Sequence, residues 1–383
     1  GAALHHLEKA LSMAESPEEL KTKLIEKARQ LGFALAGVTS PDPTESFLHF
    51  RDWIAAGRHA DLGYLASERS LERRADPRAI LPECESILVL GIPYHPQKPG
   101  AEGVAAYAWG DDYHDLLPLR LEALSAYLTV IAGLAVPARC YTDTGPIVVR
   151  DLAGRAGLGW VGGNSMLINP GMGSNFFLAE ILLGIALPPD EPFTADHCGS
   201  CRRCIEACPT ACIRPDRTLE AGRCLSFLTI ENKGFIPAEL REQVGGWLFG
   251  CDICQQVCPW NRFAPKEVEA AFSPRPGVLP ADPAAALGLS PQEFNRQFKG
   301  SPVKRAKRRG YLRNSAVVMG NRGDEKDVLP LIAALSDPEP LVRAHAAWAL
   351  GQIGGEQAEA ALRGVLEGEV DLDVRGEIKR VLG

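Results

Sequence analysis

The sequence has no long hydrophobic run. A helix that spans a bilayer needs about twenty apolar residues, but the longest candidate, FFLAEILLGIAL, is shorter and contains Glu180. The N-terminal stretch GAALHHLEKALSMAESPEEL also lacks the basic start and apolar block of a secretory signal. These absences predict a protein without a membrane-bound part and without an export signal, and we expect it in the cytoplasm.

The overall charge and composition are those of an ordinary globular protein. The 383 residues are 46% hydrophobic and 23% charged, with a formal net charge of -7. A chain of this length accommodates about two or three domains, each with its own core. An acidic chain can still carry a local basic surface, which the net charge hides.

Cysteine is nearly absent outside one window. Of the 11 cysteines, only Cys84 and Cys140 lie outside residues 198–258. In this window CGSCRRCIEACP has the spacing C-x2-C-x2-C-x3-C-P, and CDICQQVCPWN repeats its end. Strings of this kind hold 4Fe-4S clusters, and in two-cluster ferredoxins the fourth cysteine ligates the other cluster. A pair of zinc sites also uses C-x2-C, but it does not explain the full string.

The spacing therefore predicts two 4Fe-4S clusters with separate ligand sets. The first set is Cys198, Cys201, Cys204 and Cys258. The second set is Cys208, Cys224, Cys251 and Cys254. Cys212 is the alternative to Cys224, and we rank it lower because it lies one helical turn after Cys208 and would approach the cluster from the same side. Cys84, Cys140 and Cys212 are instead expected to be small buried residues.

Apolar patterning divides the chain into three parts. Residues 1–190 combine amphipathic helices, such as SPEELKTKLIEKARQLGF and LLPLRLEALSAYLTVIAGLA, with short strands ALAGVTS and SILVLGIPY, which predicts an α/β domain. Residues 191–270 hold the cysteine motifs and predict a ferredoxin-like domain. Residues 271–383 contain a basic connector and the segments LRNSAVVMGNRG, VRAHAAWALGQIG and VRGEIKRVLG, which are typical of HEAT-like repeats. So few repeats bury little core alone, and we expect them to pack on the preceding domain.

The segment that begins YTDTGPIVVRDLAGRAGLGWVGG is the candidate reaction site. Gly157, Gly159 and Gly162 form G-x-G-x-x-G, but the preceding RDLAGRAG has a helical pattern, which argues against a dinucleotide-binding turn. These glycines are expected to allow tight turns or the close approach of a ligand. Asp143, in DTGP, is explained either by an Asx turn, which the residue types favour, or by a general acid.

One histidine has a partial metal-binding pattern. His114 lies in the sequence DYHDLL, but Leu117 stands where a cobalt-binding D-x-H-x-x-G motif has glycine. We therefore expect His114 to be a surface histidine or one with its hydrogen bonds satisfied.

Acidic residues are absent between Arg296 and Arg313. This stretch has eight positive charges in eighteen residues, which predicts a phosphate-binding surface, with a solvated charged face as the alternative. The residues predicted to bind RNA are Lys304, Arg305, Lys307, Arg308 and Arg309. Phe294, Phe298 and Tyr311 are expected either to stack on bases or to lie in the core, and Arg343 is expected to extend the basic surface.

The ordered motifs DTGP, RAGLGWVGGNSMLINP, CGSCRRCIEACPT, RCLSFLTIENKG, GCDICQQVCPWN and GSPVKRAKRRGYLRN resemble the epoxyqueuosine reductase family over most of the chain. The resemblance implies an oxidoreductase that reduces the epoxide of epoxyqueuosine to queuosine at the wobble position of tRNA. It implies that residues 1–190 bind cobalamin, that electrons from an external donor reach cobalamin through the two clusters, and that Asp143 donates a proton.

The resemblance also implies contacts and a partner. Tyr113, Asn164 and Ser165 fall in segments expected to line the cobalamin or substrate pocket, and the tRNA anticodon stem-loop is the implied partner of the basic connector and repeats. The chain departs from the family pattern at Gly163, where many members have lysine, so a lysine contact is missing or replaced there.

Two other classes of protein fit part of the pattern. A reductive dehalogenase-like corrinoid iron-sulfur enzyme would act on a small organic substrate, but it explains neither the basic stretch nor the missing twin-arginine signal. A non-enzymatic electron carrier or helical-repeat adaptor does not need the first 190 residues. Corrinoid absorption and salt-dependent tRNA binding distinguish these three classes.

Overall fold

The computed structural model describes residues 15–94, 103–279 and 282–383, which form two compact units. The first unit contains the described residues in 15–94, 113–201 and 259–269, and the second contains those in 103–112, 202–258, 270–279 and 282–383. The expectation about an export signal rests largely on residues 1–14, which lie outside the described residues, as do residues 280–281 of the predicted connector.

A four-stranded antiparallel sheet forms the centre of the first unit. Its strands are β1 (Leu35–Thr39), β2 (Ser86–Pro93), β3 (Ala138–Tyr141) and β6 (Phe176–Leu183), in the order β1-β2-β6-β3. A small second sheet pairs β4 (Trp160–Val161) with β5 (Leu167–Ile168). The two predicted strands are confirmed. The pairing is antiparallel throughout the larger sheet, so the α/β class predicted for residues 1–190 is corrected to α+β.

The described residues of the first unit also form helices. They are α1 (Pro17–Gln30), α2 (Ser46–Ala55), α3 (Glu68–Ala75), α4 (Tyr113–Ala132) and α5 (Val149–Arg155). The predicted start of α1 is confirmed, because Ser16 and Glu19 form a reciprocal capping box. Leu152 of α5 packs with Ile87 and Val89 of β2, while α4 contacts β3 and β6. The strand β2 is buried along nearly its whole length, which explains its continuous apolar sequence.

The second unit is mostly helical. Its helices are α6 (Arg203–Ala207), α7 (Ala238–Arg241), α8 (Ile253–Gln256), α9 (Pro283–Leu287), α10 (Pro291–Gln297), α11 (Lys307–Arg322), α12 (Val328–Ala334), α13 (Pro340–Ile353), α14 (Glu356–Leu366) and α15 (Leu372–Leu382). The long helix α11 packs on α13, and α13 packs on α15. Among the described residues of the whole chain, no helix is long and apolar enough to cross a bilayer.

Buried polar side chains join these helices to the cysteine-bearing segment. Arg313 of α11 is fully buried and donates hydrogen bonds to the carbonyl oxygens of Leu228, Asn232 and Gly234 at 2.5–2.8 Å. The buried His345 of α13 accepts a hydrogen bond at Nε2 from a backbone N–H of the same segment, and burial holds its pKa well below the ordinary value. The helical repeats therefore do pack on the preceding segment, as predicted.

These contacts correct the expectations for Arg313 and Arg343, and they decide between the two alternatives left open for Phe294, Phe298 and Tyr311. Arg313 is a buried structural residue and is not available to RNA. Phe294, Phe298 and Tyr311 are at most 2% exposed and pack on one another, with the Phe298 and Tyr311 ring centroids 5.0 Å apart. They therefore belong to the core and do not stack on bases. Arg343 is bound to Glu369 at 2.7 Å, so it does not extend the basic surface in the way predicted.

Replacing Arg313 with methionine should destabilise the second unit. The substitution leaves three buried carbonyl oxygens without their charged donor, and each such loss costs about 1–3 kcal/mol, so we expect a total loss of roughly 3 kcal/mol or more and a clearly lower Tm in chemical and thermal denaturation. Lys304→Gln, which changes an exposed residue of the same stretch, is the control and should leave the Tm nearly unchanged. Equal stability of the two variants would contradict the structural role.

Candidate catalytic site and cysteine sites

Asp143 lies on the loop that follows β3 in the first unit. Its backbone is left-handed, with φ of 60°, a conformation that Asp tolerates better than most side chains. Thr142 anchors the loop because its hydroxyl donates to the Leu178 carbonyl oxygen of β6 at 3.0 Å. The Asp143 side chain is 66% exposed, so the loop presents its carboxyl group to solvent.

Two residues at the start of α4 contact this carboxyl group. The Tyr113 hydroxyl donates to Asp143 Oδ2 at 3.0 Å, and His114 Nε2 lies 3.6 Å from the same oxygen. Tyr113 is held in place by stacking on Phe177, with ring centroids 4.4 Å apart. The expectation that His114 is a surface or satisfied histidine stays a prediction, and the sequence did not indicate that its ring would lie beside Asp143.

Two ionisable residues lie next to the loop, of which Glu180 is buried and Arg150 is exposed. Glu180 of β6 is only 1% exposed, and burial, with a further contribution from Asp143, raises its pKa well above the ordinary value. The guanidinium group of Arg150, in α5, is nevertheless desolvated, which lowers its pKa, while Asp143 opposes that shift. Sequence reasoning missed both residues. A single carboxyl group in the apolar run FFLAEILL was the signal that could have found Glu180.

The three residues predicted to line the cofactor or substrate pocket are all buried. Tyr113 is 7% exposed, Asn164 4% and Ser165 7%. Asn164 Oδ1 accepts from the Met166 backbone N–H at 3.2 Å, and the Ser165 carbonyl oxygen accepts from Arg150. The structure therefore brings Tyr113 to Asp143 and links Ser165 to Arg150, and each of the three is engaged with other parts of the protein.

The glycine motif serves chain packing. The residues directly before the motif form helix α5 and not a strand, as the sequence indicated. Gly159 has φ of 154°, and a Cβ there would come within 2.1 Å of the Ile168 carbonyl oxygen. Gly162 is close to the Ile168 side chain, at 2.3 Å from the Cβ position. The glycines therefore allow β4 and β5 to pair closely.

Thiols of the second predicted cluster lie near one another in the second unit. Cys208 Sγ is 3.4 Å from Cys212 Sγ. Hydrogen bonding from Cys212 lowers the pKa of Cys208 to about 5 and that of Cys224 to about 7. Burial raises the pKa of Cys251 and of Cys254. These two thiols also interact electrostatically with Cys224, so the second predicted ligand set occupies one region.

The reason given for ranking Cys212 below Cys224 is wrong. Helix α6 ends at Ala207, so Cys212 does not lie one helical turn after Cys208. Its thiol instead hydrogen-bonds both Cys208 and Cys224. Cys212 and Cys84 are buried as predicted, whereas Cys140 is partly exposed. Within the described ranges, no three His, Cys, Asp or Glu side chains meet around a point that a single metal ion could fill.

The thiols predicted to hold the first cluster belong to two different units. Cys198 and Cys201 belong to the first unit, and Cys204 and Cys258 belong to the second. Cys201 is exposed. A backbone hydrogen bond closes the loop that carries Cys198 and Cys201. The Cys201 N–H donates to the Cys198 carbonyl oxygen at 2.9 Å.

The basic stretch is divided between surface and structural roles. Lys304, Arg305, Lys307 and Arg309 are exposed, although Arg305 also pairs with Glu231 at 2.7 Å. Arg308 is held by Asp337 and by the Leu289 carbonyl oxygen.

Lys233 joins this surface and was missed from the sequence. It is exposed, its Nζ lies 3.4 Å from the Arg305 carbonyl oxygen, and its pKa is lowered first by partial burial and then by nearby charges that include Arg305 and Lys307. We name the exposed residues Lys233, Lys304, Arg305, Lys307 and Arg309 the basic patch.

Comparison with known proteins first defines a class. The family model described as a 4Fe-4S double cluster binding domain matches residues 197–261, and the one described as HEAT repeats matches residues 309–383. The chain is thus an iron-sulfur protein with a HEAT-repeat segment. A third model, described as "Epoxyqueuosine reductase QueG, DUF1730", matches residues 74–144.

Similar proteins then define the family. The epoxyqueuosine reductase of Xanthomonas campestris pv. campestris is 37% identical over 350 residues, which cover 88% of this chain and 97% of that protein. A crystal structure of epoxyqueuosine reductase with an epoxyqueuosine-modified tRNA-Tyr stem loop is 31% identical, with a TM-score of 0.88 and coverage of 95% of this chain and 98% of that one.

A structure of epoxyqueuosine reductase from Bacillus subtilis is 32% identical to this chain, with a TM-score of 0.85 and coverage of 95% of this chain and 98% of that one. It has an aspartate-bearing catalytic loop swung out of the active site. The chain belongs to the epoxyqueuosine reductase family and is an oxidoreductase.

Glu180→Gln should change how stability depends on pH. The folded protein retains the Glu180 proton above pH 4.5, the ordinary value at which the unfolded chain loses it. The free energy of unfolding of the wild type therefore decreases as the pH rises towards the raised pKa of Glu180 in the folded protein. Glutamine does not ionise, so the Tm of Glu180→Gln relative to the wild type should rise between about pH 5 and pH 8.

The exposed Glu122 provides the control for this measurement. The Tm difference between Glu122→Gln and the wild type should be constant over the same pH range. A constant difference for Glu180→Gln as well would show that Glu180 does not hold its proton in the folded protein.

Proposed function

We propose that this chain reduces the epoxide of epoxyqueuosine to queuosine at the wobble position of tRNA, with Asp143 as the proton donor. The observation that carries the proposal is the exposed Asp143 carboxyl group, oriented by Tyr113 and His114 on a short loop. The catalytic loop of the Bacillus subtilis relative is also named for an aspartate, and another relative is bound to an epoxyqueuosine-modified stem loop. The alternative of a dehalogenase-like enzyme is set aside because the chain belongs to the reductase family.

The contacts of Asp143 support a proton-donating role. Removal of an epoxide oxygen as water consumes two electrons and two protons, and a positioned acid avoids the release of an unstabilised alkoxide. The Tyr113 hydroxyl fixes the orientation of the carboxyl group through Oδ2. An RNA loop that covers Asp143 would remove water from it, which favours the protonated carboxyl group. His114, at 3.6 Å and 29% exposed, is placed to return a proton from solvent after turnover.

The two ionisable residues near the loop, Glu180 and Arg150, contribute in different ways. Neutral Glu180 adds no negative charge below Asp143, so it does not repel the carboxylate that remains after proton donation. Arg150 provides a positive charge that stabilises this carboxylate. In this proposal the loop donates a proton towards the substrate while these two residues stabilise the product state.

The thiols of the second set fit one of the two proposed clusters. The second set converges in one region, with Cys208, Cys224, Cys251 and Cys254 as proposed ligands and Cys212 as a neighbour. Desolvated thiols with raised pKa values are costly to ionise alone, and iron compensates this cost by binding the thiolate. When bound, the clusters supply single electrons from an external donor.

Cobalamin is the electron acceptor that the family resemblance implies. The residues predicted to contact it do not fit direct contacts in this structure, because Tyr113, Asn164 and Ser165 are buried and engaged with Asp143, Met166 and Arg150. We therefore keep cobalamin as a proposed cofactor and derive no step of the reaction through it.

The basic patch is the proposed contact for the tRNA anticodon stem-loop. Lysine and arginine side chains on this surface neutralise phosphates and hold the RNA without reading its sequence. We exclude Arg308 from the patch because its side chain is mostly buried in the ion pair with Asp337, whereas the side chain of Arg305 remains exposed beside Glu231. In this proposal residues 1–190 carry the reaction site and residues 191–270 the clusters. Residues 271–383, together with Lys233, carry the RNA contacts, and the enzyme acts on tRNA in the cytoplasm.

Asp143→Asn should suppress turnover and leave the cofactors bound. The amide preserves an acceptor for Tyr113 but cannot donate the acidic proton, so we expect kcat to fall by about 10²- to 10⁴-fold at unchanged iron content. The assay measures conversion of an epoxyqueuosine-containing anticodon stem-loop by anaerobically reconstituted protein, with and without cobalamin. Asp115→Asn, at an exposed position of α4, is the control. Full activity of Asp143→Asn would remove the acid role, and an inactive wild type with all cofactors present would refute the proposed reaction.

Neutralising the basic patch should weaken RNA binding in a salt-dependent manner. The triple variant Lys304→Gln, Lys307→Gln and Arg309→Gln should reduce the slope of log K against log salt by about 2–3, since each lost phosphate contact removes about 0.7–0.9. Binding of a fluorescent anticodon stem-loop at several salt concentrations measures this slope. The matched control neutralises three exposed residues elsewhere, Arg29, Arg139 and Lys379. An equal effect of the control would reject the patch as a specific contact.

A further inference from the structure

A tryptophan side chain of the first unit makes a hydrogen bond to a predicted cluster ligand. Trp160, in β4, is 5% exposed, and its indole Nε1 donates to Cys198 Sγ at 3.4 Å. The indole N–H is a donor only, so its natural partner here is the lone pair of a sulfur atom. The strength of this bond increases when the sulfur carries negative charge, as it does in a thiolate bound to iron.

Neighbouring rings hold the indole in this orientation. The Trp260 ring centroid lies 5.1 Å from that of Trp160 in an edge arrangement, and His197 lies at the same distance. Phe193 stacks on Trp160 at 5.7 Å. These distances lie in the range of favourable aromatic pairs. The indole is therefore packed on several sides and has little freedom to turn its N–H away from Cys198.

The sulfur atom is also positioned by its own loop. The Cys198 N–H donates to Asp196 Oδ1 at 2.9 Å, and the Cys198 carbonyl oxygen accepts from the Cys201 N–H at 2.9 Å. Gly199 between them has φ of 50°, which allows the tight turn. Donor and acceptor are thus both held in place before any cluster binds.

We infer that Trp160 is a positioning residue whose indole N–H stabilises the Cys198 thiolate and thereby raises the reduction potential of the first cluster. This inference rests on the proposed function, in which Cys198 ligates that cluster. Hydrogen bonds to cluster sulfurs raise the potential because the reduced cluster carries one more negative charge than the oxidised one. Cys201, on the same loop, is exposed, so this cluster is accessible to an external single-electron donor, and a higher potential favours its reduction by that donor.

The test compares Trp160→Phe with Trp260→Phe. Each substitution keeps an aromatic ring, but only the first removes the N–H that bonds Cys198. Redox titration of anaerobically reconstituted protein, followed by electron paramagnetic resonance, gives the potentials of both clusters. For Trp160→Phe we expect a tenfold lower ratio of reduced to oxidised first cluster at a fixed potential, which corresponds to a decrease of about 59 mV, with the second cluster unchanged.

The control separates hydrogen bonding from packing. Trp260→Phe should leave both potentials where they are in the wild type. Unchanged potentials in a fully loaded Trp160→Phe protein would overturn the inference, and so would an equal shift in Trp260→Phe, because that result would assign the effect to ring packing.

A measurement on the unmutated enzyme covers the case in which Trp160→Phe loses its cluster. Wild-type protein labelled with ¹⁵N in its indole rings should show a nitrogen hyperfine coupling to the reduced first cluster in pulsed resonance spectra, and the Trp260→Phe protein should retain this coupling. Absence of the coupling in the wild type would also overturn the inference.

The ligand assignment is tested separately with Cys198→Ala. Loss of one cluster, measured as a halved iron content, supports Cys198 as a ligand. Retention of both clusters would refute that part of the proposed function, whereas an unshifted potential in Trp160→Phe refutes only the role of the indole.

Discussion

The reaction site depends on one steric and electrostatic constraint, the packing of the Asp143 loop against the buried Glu180. A Cβ at Gly145 would lie 2.8 Å from Glu180 Oε1 and 2.9 Å from the Tyr141 side chain, so the loop has room only for glycine at that point. The backbone at position 143 is left-handed, and among residues with a side chain this conformation favours Asp and Asn. Among these two, only Asp can donate an acidic proton. The same geometry that closes the turn therefore presents the carboxyl group to solvent beside Tyr113.

The cost of burying charge organises the second unit in a similar way. The basic stretch contains residues of the same charge with opposite roles. Arg313 is buried because three carbonyl oxygens replace its water, and Arg308 is held by the carboxylate of Asp337. The remaining lysines and arginines stay at the surface, where their charge is hydrated. Structural anchoring and the proposed binding of RNA therefore arise from one continuous segment.

Local patterns predicted a large share of the fold and of the site. The capping box at Ser16, the apolar strand β2 and the helical repeats follow from rules that act over a few residues, and each was confirmed. The cysteine spacing predicted the double-cluster domain because one short loop wraps one corner of a cluster. Asp143 was found as a candidate, although the local sequence alone left both a turn and an acid open.

The sequence did not predict the roles of residues whose partners are distant in the chain. Glu180 was noted only as an interruption of an apolar run, and Lys233 lies about seventy residues before the stretch that it joins in space. Cys212 was ranked low on the assumption of a helix that ends before it. In each case the missing information was which side chains meet after packing.

The sequence by itself determined the elements, the cluster motif and the family resemblance, because these depend on residue types at short separations. Only the tertiary structure decided that Tyr113 and His114 meet Asp143, that Arg313 is buried, and that Trp160 reaches Cys198. These pairings join residues that are tens of positions apart in most cases, and burial is a property of the packed chain. A pattern of residue types records which groups are present, whereas packing decides which of them lose water and which partner replaces it.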